Sequence, residues 1–298
     1  IQSIRWFCAA VAVLFGAMAL YLAWFLVSDS EAVINNPYNA RLSAFEERVI
    51  RGSILADDGT VLAQTVLASD SNGTPVERRE YPYGELFAHV VGYSTTGKTG
   101  IESLANFQLL RTHGNYLGNA MNELAGEKNT GDSVVTTLNL KLQQIASDAL
   151  GNRRGAVVAM EPKTGRILCM VSKPAFDPNT AAENWNDLIN GDSTEARLLN
   201  RATQGLYPPG STFKIITALQ YMREHPETYN EYRFDCSGIF SYESYRLQCY
   251  HQNVHGDQNF TEAFANSCNG AFANLGLTLD LNGLRELSEQ LLFNRELP

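Results

Sequence analysis

The segment Tyr207-Pro208-Pro209-Gly210-Ser211-Thr212-Phe213-Lys214 is the most informative stretch of this 298-residue chain. Two prolines and a glycine exclude an α-helix over residues 207–210, whereas residues 211–222 contain no helix breaker. The pattern predicts a loop that leads directly into a helix. Ser211 and Lys214 then lie one turn apart on the same face of that helix.

A serine and a lysine in this arrangement have a chemical use. A serine hydroxyl becomes an effective nucleophile when an adjacent base takes its proton, and a lysine acts as that base only when burial or nearby charge keeps it neutral. The free backbone N–H groups of a helix N-terminus also favour negative charge on a substrate oxygen. By itself the motif is weak, because a capping serine beside a solvated lysine gives the same spacing.

A second motif, Ser267-Cys268-Asn269, changes this assessment. Ser-x-x-Lys followed by Ser-x-Asn is the order found in penicillin-recognising enzymes. Residues 201–214 resemble the nucleophile segment of high-molecular-weight penicillin-binding proteins almost throughout. Residues 155–178, which end in Phe176-Asp177-Pro178, are similar to the opening strands of their transpeptidase domain.

The N-terminal half carries the same resemblance. Asn36-Pro37-Tyr38-Asn39, Arg51-Gly52-Ser53-Ile54 and Gly97-Lys98-Thr99-Gly100-Ile101-Glu102 are similar to the pedestal of the class B, monofunctional members. No segment resembles the glycosyltransferase domain of class A members. The resemblance therefore covers nearly the whole chain and implies class B.

Several local patterns agree with this assignment. Residues 54–56 and 61–63 read as a β-hairpin, because the Asp58-Gly59 step supplies the positive φ of such a turn. Leucines and other apolar residues over residues 138–150 predict an amphipathic helix that ends at Gly151. Residues 156–160 and 167–171 predict two antiparallel strands that are apolar throughout, and hence covered on both faces.

The resemblance implies an α+β fold. A penicillin-binding, serine-transpeptidase-like domain, with an antiparallel sheet flanked by helices and incomplete here, rests on a β-rich pedestal above a single transmembrane helix. We expect unpaired strand edges in this incomplete sheet to favour aggregation. The predicted divisions are residues 1–5 as a cytoplasmic stub, 6–27 as the transmembrane helix, 28–135 as the pedestal, and 136–298 as the N-terminal part of the transpeptidase domain.

The resemblance also implies a peptidoglycan D,D-transpeptidase that cross-links stem peptides. Ser211 attacks the carbonyl between two terminal D-alanines and Lys214 accepts its proton. Ser267 relays a proton to the departing D-alanine, and Asn269 holds the stem-peptide amide. β-Lactams imitate D-Ala-D-Ala and leave Ser211 acylated, which makes the protein an antibiotic target.

The family's third motif, Lys-Thr-Gly on a later strand, is expected beyond Asn269, and residues 270–298 do not contain it. Two such triplets occur at residues 98–100 and 163–165, but both precede the nucleophile: the first belongs to the pedestal signature, and the second is interpreted as the turn of the predicted hairpin. We therefore expect these 298 residues alone to be inactive and the full gene product to be an enzyme.

A membrane anchor is predicted at the N-terminus. Residues 6–27 form a run of 22 residues without a charge, enough to cross a hydrocarbon layer of about 30 Å as a helix. Arg5 precedes the run, whereas Asp29 and Glu31 follow it, so the N-terminus is expected in the cytoplasm and the catalytic domain outside the cell membrane. A cleaved signal peptide is the alternative, although its apolar region is normally about 7 to 15 residues long.

Small residues along one face of this span would let another helix approach closely. The family implies a polytopic membrane glycan polymerase as the partner, while the alternative is that alanine is merely common in such spans. The residues concerned are Ala12, Gly16, Ala19 and Ala23.

The cysteines leave two alternatives open. Cys236 and Cys249 flank a loop and could form a disulfide outside the cytoplasm. With His251 and His255 they also form an array that superficially suggests zinc, but the pair lacks the spacing of about two to four residues found in most structural sites. We predict no metal and no cofactor. The other cysteines are predicted to be small packing residues: Cys8, Cys169 and Cys268.

Other functions remain as alternatives. The net charge of −9 argues against nucleic-acid binding, which requires a basic surface. A β-lactam-sensing receptor would use the same serine and lysine but needs further transmembrane helices. A D,D-carboxypeptidase or β-lactamase would pass the acyl group to water, and a short acyl-enzyme lifetime would identify it.

Overall fold

The structure is a computed structural model that describes residues 2–28, 46, 48–69, 73–95, 97–113, 116–191 and 194–295. The chain forms two compact units, Ile1–Leu206 and Tyr207–Pro298. Asn36-Pro37-Tyr38-Asn39 of the pedestal resemblance lies outside the described residues, as do Asp29 and Glu31. The domain boundaries predicted from the sequence stay predictions, since a division by compactness need not coincide with a domain border.

Helices and strands are distributed along both units. The helices are α1 (Gln2–Ser28), α2 (Ala88–Val91), α3 (Gly100–Leu104), α4 (Asn106–Leu110), α5 (Tyr116–Ala125), α6 (Leu140–Leu150), α7 (Trp185–Asn190), α8 (Lys214–Glu224), α9 (Phe260–Ala265), α10 (Asn269–Thr278) and α11 (Leu281–Gln290). The strands are β1 (Val49–Ile50), β2 (Ile54–Leu55), β3 (Val61–Ser69), β4 (Pro75–Glu80), β5 (Asn129–Thr130), β6 (Val134–Val135), β7 (Gly155–Met160), β8 (Ile167–Lys173), β9 (Arg233–Cys236), β10 (Ile239–Tyr242), β11 (Tyr245–Gln248) and β12 (Gly256–Asn259).

Helix α1 contains the predicted membrane span. Its stretch Ile4–Ser28 has a mean hydropathy of 2.3, and among the described residues it is the single helix that is long and apolar enough to cross a membrane. At a rise of about 1.5 Å per residue it exceeds the thickness of the hydrocarbon layer.

The first unit contains a four-stranded sheet with the order β4-β3-β2-β6. The predicted hairpin is confirmed, because β2 and β3 pair antiparallel and the turn closes through a hydrogen bond from Gly59 N to Ala56 O at 3.1 Å. Gly59 has a φ of 85°, the conformation that the Asp-Gly step predicts. Along the chain, the helices α2 to α5 lie between β4 and β5, and they were not predicted from the sequence.

A buried ion cluster joins the pedestal signatures. The Glu102 carboxylate is fully buried and accepts from Arg51 Nε at 2.6 Å and from Arg79 Nε at 2.7 Å. The two guanidinium groups compensate the cost of removing the carboxylate from water. Gly52, the neighbour of Arg51, packs so tightly that a Cβ atom there would lie 1.9 Å from the Asp132 carbonyl oxygen. The two pedestal signatures that contain Arg51 and Glu102 therefore contact each other.

The predicted amphipathic helix is confirmed as α6, in which Ala146 is buried and Leu140 and Leu150 are partly buried, but not every predicted apolar residue is covered. The helix begins at Leu140 after the Asn139 side chain, which caps it, and Ile145 is 53% exposed. Gln143 is fully buried instead, because its side-chain amide donates to Leu86 O and Met170 O and accepts from Met170 N. These hydrogen bonds compensate the burial of a polar side chain.

The predicted strand pair β7 and β8 is confirmed as an antiparallel hairpin. The prediction that both faces are covered is wrong for β7, where Val158 and Met160 are 46% and 55% exposed. A strand that is apolar on both faces is thus not necessarily covered on both faces by other described residues.

The second unit has its own core, in which α8 packs against α10 and α11. Helix α8 begins later than predicted, at Lys214, after a 3₁₀ turn over Gly210–Phe213. Two strand pairs, β9 with β12 and β10 with β11, complete the unit. The buried apolar residues of this core are Ala218, Cys236, Cys249, Phe260, Ala263, Cys268, Ala271, Phe272 and Leu275.

Candidate active site

Ser211 lies in the 3₁₀ turn that precedes α8. Gly210 enters this turn with a φ of 56°, and the Thr212 hydroxyl donates to the Pro209 carbonyl oxygen at 2.6 Å. The Ser211 residue is exposed, so its hydroxyl is accessible to a ligand from outside. The Pro-Pro-Gly sequence thus prevents the helix from starting earlier and places the serine just before the helix N-terminus.

The Lys214 amine is the centre of the site. Its Nζ lies 3.4 Å from Ser211 Oγ, 3.0 Å from Ser267 Oγ and 2.6 Å from Asn269 Oδ1. The amine also donates to the Ser267 carbonyl oxygen at 2.5 Å. One nitrogen therefore contacts all three of the other side chains that the sequence singled out.

The surroundings of Lys214 act on its pKa in both directions, and burial is the largest effect. Burial lowers the pKa of Lys214 below its ordinary value, while negative charge on Cys268 and Cys249 would act in the opposite direction. The Phe272 ring lies on one side of the amine, with its centroid 5.7 Å from Nζ, and this contact favours the charged form. A lysine with a lowered pKa can accept a proton from a hydroxyl beside it.

The Ser267-Cys268-Asn269 segment is a tight turn that leads into α10. Ser267 adopts a left-handed conformation with a φ of 49°, which is uncommon for a residue other than glycine. The Cys268 sulfur caps α10 by accepting from Ala271 N at 3.4 Å, and Asn269 Nδ2 donates to Gln248 O at 2.8 Å. These contacts direct the Ser267 and Asn269 side chains to the same amine.

The structure thus brings together all four predicted residues: Ser211, Lys214, Ser267 and Asn269. It adds two neighbours that sequence analysis missed, Gln248 and Phe272, for which no motif gives a signal. The Lys163 to Gly165 triplet forms the turn of the β7–β8 hairpin, where Gly165 N donates to Glu161 O at 2.9 Å. Lys98 of the other triplet forms an ion pair with Glu46 at 2.7 Å.

Three thiols and an imidazole lie directly behind this turn. Cys249 Sγ is 3.7 Å from both Cys236 Sγ and Cys268 Sγ, and His255 Nδ1 is 3.4 Å from Cys236 Sγ. All five cysteines of the chain are free thiols, so the possible Cys236–Cys249 disulfide is not formed. Cys268, which was predicted to serve only in packing, also belongs to this cluster.

The chain is similar to known proteins in both halves. Residues 155–296 match the penicillin-binding protein transpeptidase domain, and residues 51–134 match the penicillin-binding protein A dimerisation domain. Over 284 residues the chain is 32% identical to the peptidoglycan D,D-transpeptidase PbpA of Mycobacterium tuberculosis, with 88% of this chain and 56% of that protein covered. The chain thus spans about half the length of this curated relative.

Solved structures give the same result. The D,D-transpeptidase domain of a peptidoglycan glycosyltransferase from Eggerthella lenta has a TM-score of 0.68 at 34% identity, covering 84% of this chain and 55% of that one. The penicillin G acyl-enzyme complex of penicillin-binding protein A from M. tuberculosis has a TM-score of 0.69 at 30% identity, covering 82% and 59%. With both domain types and the gathered motifs in place, the chain belongs to the class B penicillin-binding proteins.

Proposed function

We propose that this chain is part of a serine-type peptidoglycan D,D-transpeptidase that is acylated on Ser211. The observation that carries the proposal is the position of Lys214 Nζ, within 3.4 Å of Ser211 Oγ and in contact with Ser267 and Asn269. A relative named as a peptidoglycan D,D-transpeptidase and a structural neighbour trapped as a penicillin acyl-enzyme support the same chemistry.

The first half-reaction forms an ester. Ser211 Oγ attacks the carbonyl carbon between the two terminal D-alanines of a stem peptide, and the neutral Lys214 amine takes the hydroxyl proton. The tetrahedral intermediate then collapses, the C–N bond breaks, and the D-alanine leaves with a proton. The products are an acyl ester on Ser211 and free D-alanine.

Ser267 and Asn269 have different roles in this scheme. The Ser267 hydroxyl, 3.0 Å from Lys214 Nζ, carries the proton from the ammonium to the departing nitrogen. Asn269 orients the lysine through Oδ1, and in the proposed scheme it also holds the stem-peptide amide. In the second half-reaction, the amino group of a neighbouring stem attacks the ester and releases Ser211.

The test is covalent labelling of the protein, as its gene encodes it, with a fluorescent penicillin, followed by mass spectrometry. We expect an adduct of the penicillin mass on the peptide containing Ser211, and an acyl-enzyme that persists far longer than that of a β-lactamase. Ser211→Ala should remove the adduct, whereas Ser241→Ala, which changes an exposed serine in β10, should retain it. An unlabelled wild-type protein, or equal labelling of Ser211→Ala, would refute the assignment.

We also propose that α1 anchors the protein in the cell membrane, with its N-terminus in the cytoplasm and the catalytic domain outside. Arg5 before the apolar run and the acidic residues after it support this orientation. A membrane-impermeant thiol reagent should label an introduced cysteine after the span in intact spheroplasts. Labelling only after the membrane is opened would mean that the protein has the opposite orientation.

The proposed partner of α1 is a polytopic membrane glycan polymerase that supplies the strands to be cross-linked. The supporting feature is the exposed face of small residues, which lets a second helix approach closely. Gly16→Leu on this face should reduce co-purification of the polymerase, while Leu14→Ala, on the opposite side of the helix, should not. Equal recovery with both variants would argue against this surface. The residues of the face are Ala12, Gly16, Ala19 and Ala23.

A further inference from the structure

The cluster behind the Ser267 turn has the composition of a metal site. It consists of three cysteine sulfurs and one histidine nitrogen, from Cys236, Cys249, His255 and Cys268, and all four atoms lie within 4.8 Å of one another. The three cysteines are buried and the histidine is half-buried. Three thiolates with one imidazole is among the common donor sets of structural zinc sites.

Three of the distances between the ligand atoms fit a tetrahedral ion. Zinc bonds of about 2.3 Å to sulfur and about 2.0 Å to nitrogen place two sulfur ligands about 3.8 Å apart, and a sulfur and a nitrogen about 3.5 Å apart. The observed Sγ–Sγ separations from Cys249 to Cys236 and to Cys268 are 3.7 Å, and the Sγ–Nδ1 separation from Cys236 to His255 is 3.4 Å. A disulfide would instead require sulfurs about 2.05 Å apart.

Backbone N–H groups donate hydrogen bonds to two of the sulfurs. Gly238 N donates to Cys236 Sγ and Ala271 N donates to Cys268 Sγ, each at 3.4 Å. Cys268 also caps the ten-residue helix α10, whose N-terminus stabilises negative charge. Hydrogen bonds of this kind orient ligands around a metal and tune their basicity.

The four ligands come from separate parts of the second unit. Cys236 ends β9, Cys249 follows β11, His255 precedes β12, and Cys268 precedes α10. An ion at their centre would tie two strand pairs to the start of α10. Cys268 stands between Ser267 and Asn269, so the same ion would also fix the backbone of the turn that faces Lys214.

We propose that Cys236, Cys249, His255 and Cys268 bind a structural zinc ion that holds Ser267 and Asn269 against Lys214. The four ligands are positioning residues, since they act on the site through the turn. The binding of zinc stands by itself, whereas its effect on acylation rests on the proposed function. A protein that holds zinc but forms no penicillin adduct would refute only the proposed function.

The first experiment measures the metal in the wild-type protein. The protein is purified as its gene encodes it, under reducing conditions and without a chelator, and its zinc content is determined by inductively coupled plasma mass spectrometry. We expect stoichiometric zinc, and, after removal of zinc and addition of Co²⁺, the absorption bands of thiolate-bound tetrahedral cobalt. A folded protein without zinc that takes up neither ion would overturn the proposal. An intact mass lower by two hydrogens would overturn it in favour of a disulfide.

Matched variants separate ligation from packing. Cys249→Ala and His255→Ala should lose the zinc, whereas Cys169→Ala, which removes another buried thiol, should keep it. His255→Cys offers a sulfur at the same position and should restore zinc, because four thiolates also form a common site. Retention of full zinc by Cys249→Ala would contradict the assignment of the ligands, whether or not the variant is destabilised.

The positioning effect is tested by acylation. Loss of zinc should slow penicillin acylation of Ser211 by about a hundredfold, the cost of displacing catalytic groups by about 1 Å. His255→Cys should recover most of this rate and His255→Ala should not. Zinc-free protein should regain the rate when zinc alone is added. Acylation at the wild-type rate without zinc would show that the ion does not position the turn.

Discussion

Replacing Asn269 by aspartate gives a sharp test of the role of Lys214. The two side chains have the same shape, and Asn269 Oδ1 already lies 2.6 Å from Lys214 Nζ. A carboxylate at this place turns a neutral hydrogen bond into an ion pair. It also loses the donor that Asn269 offers to Gln248 O at 2.8 Å.

The separation sets the size of the effect. At 2.6 Å, Coulomb's law gives about 2 kcal/mol in water and about 6 kcal/mol at an effective dielectric constant of about 20. Lys214 is half-buried, so the attraction lies between these limits. It stabilises the ammonium form, and even the lower limit decreases the population of neutral amine at a given pH by about tenfold.

The assay is the second-order rate constant for acylation by a fluorescent penicillin, measured against pH for wild type, Asn269→Asp and Asn269→Ala. The alanine variant loses the same amide contacts without adding a charge. At neutral pH we expect Asn269→Asp to react at least about tenfold more slowly than Asn269→Ala. The difference in rate constant between the two variants should become smaller as the pH rises, because the Lys214 ammonium then loses its proton.

Two results would refute this reasoning. An equal decrease in the acylation rate constant of both variants at every pH would mean that the charge state of Lys214 does not limit acylation. A faster reaction of Asn269→Asp at neutral pH would mean that the carboxylate itself acts as the base. In either case Lys214 would not be the proton acceptor.

Three further predictions concern stability, measured by thermal and urea unfolding. Glu102→Ala leaves two buried arginines without their carboxylate and should cost about 3 to 5 kcal/mol; an unchanged midpoint would contradict the role of the ion cluster. Burial lowers the pKa of His89, which contacts Arg197 O at 2.7 Å. The unfolded chain therefore takes up a proton at a higher pH, so stability should be full above about pH 6.5 and fall below it; His89→Gln should reduce this acid sensitivity. Leu275→Ala should cost about 2 to 5 kcal/mol in the core behind the site, and Leu277→Ala, at an exposed position of the same helix, less than about 0.5 kcal/mol.

The structural elements that depend only on residues close together in the sequence were predictable from it. The Asp58-Gly59 step predicts its hairpin, since a positive φ is a local property of the backbone. The Pro-Pro-Gly segment similarly predicts the loop before α8, although the helix begins at Lys214 rather than at Ser211. The burial of Gln143 in α6 was not predictable, because its side-chain amide forms hydrogen bonds with Leu86 and Met170, far away in the sequence.

The sequence by itself determined the motifs, their order, the apolar span and the class of chemistry, because these depend on residue types and on spacing along the chain. Only the tertiary structure decided that Lys214 contacts both other motif residues, and that Cys268 faces two more thiols and a histidine. Contacts between residues 53 and 55 positions apart are set by packing of the core, which no local pattern encodes. The cysteine spacing argued against a metal, whereas the distances in the fold support one.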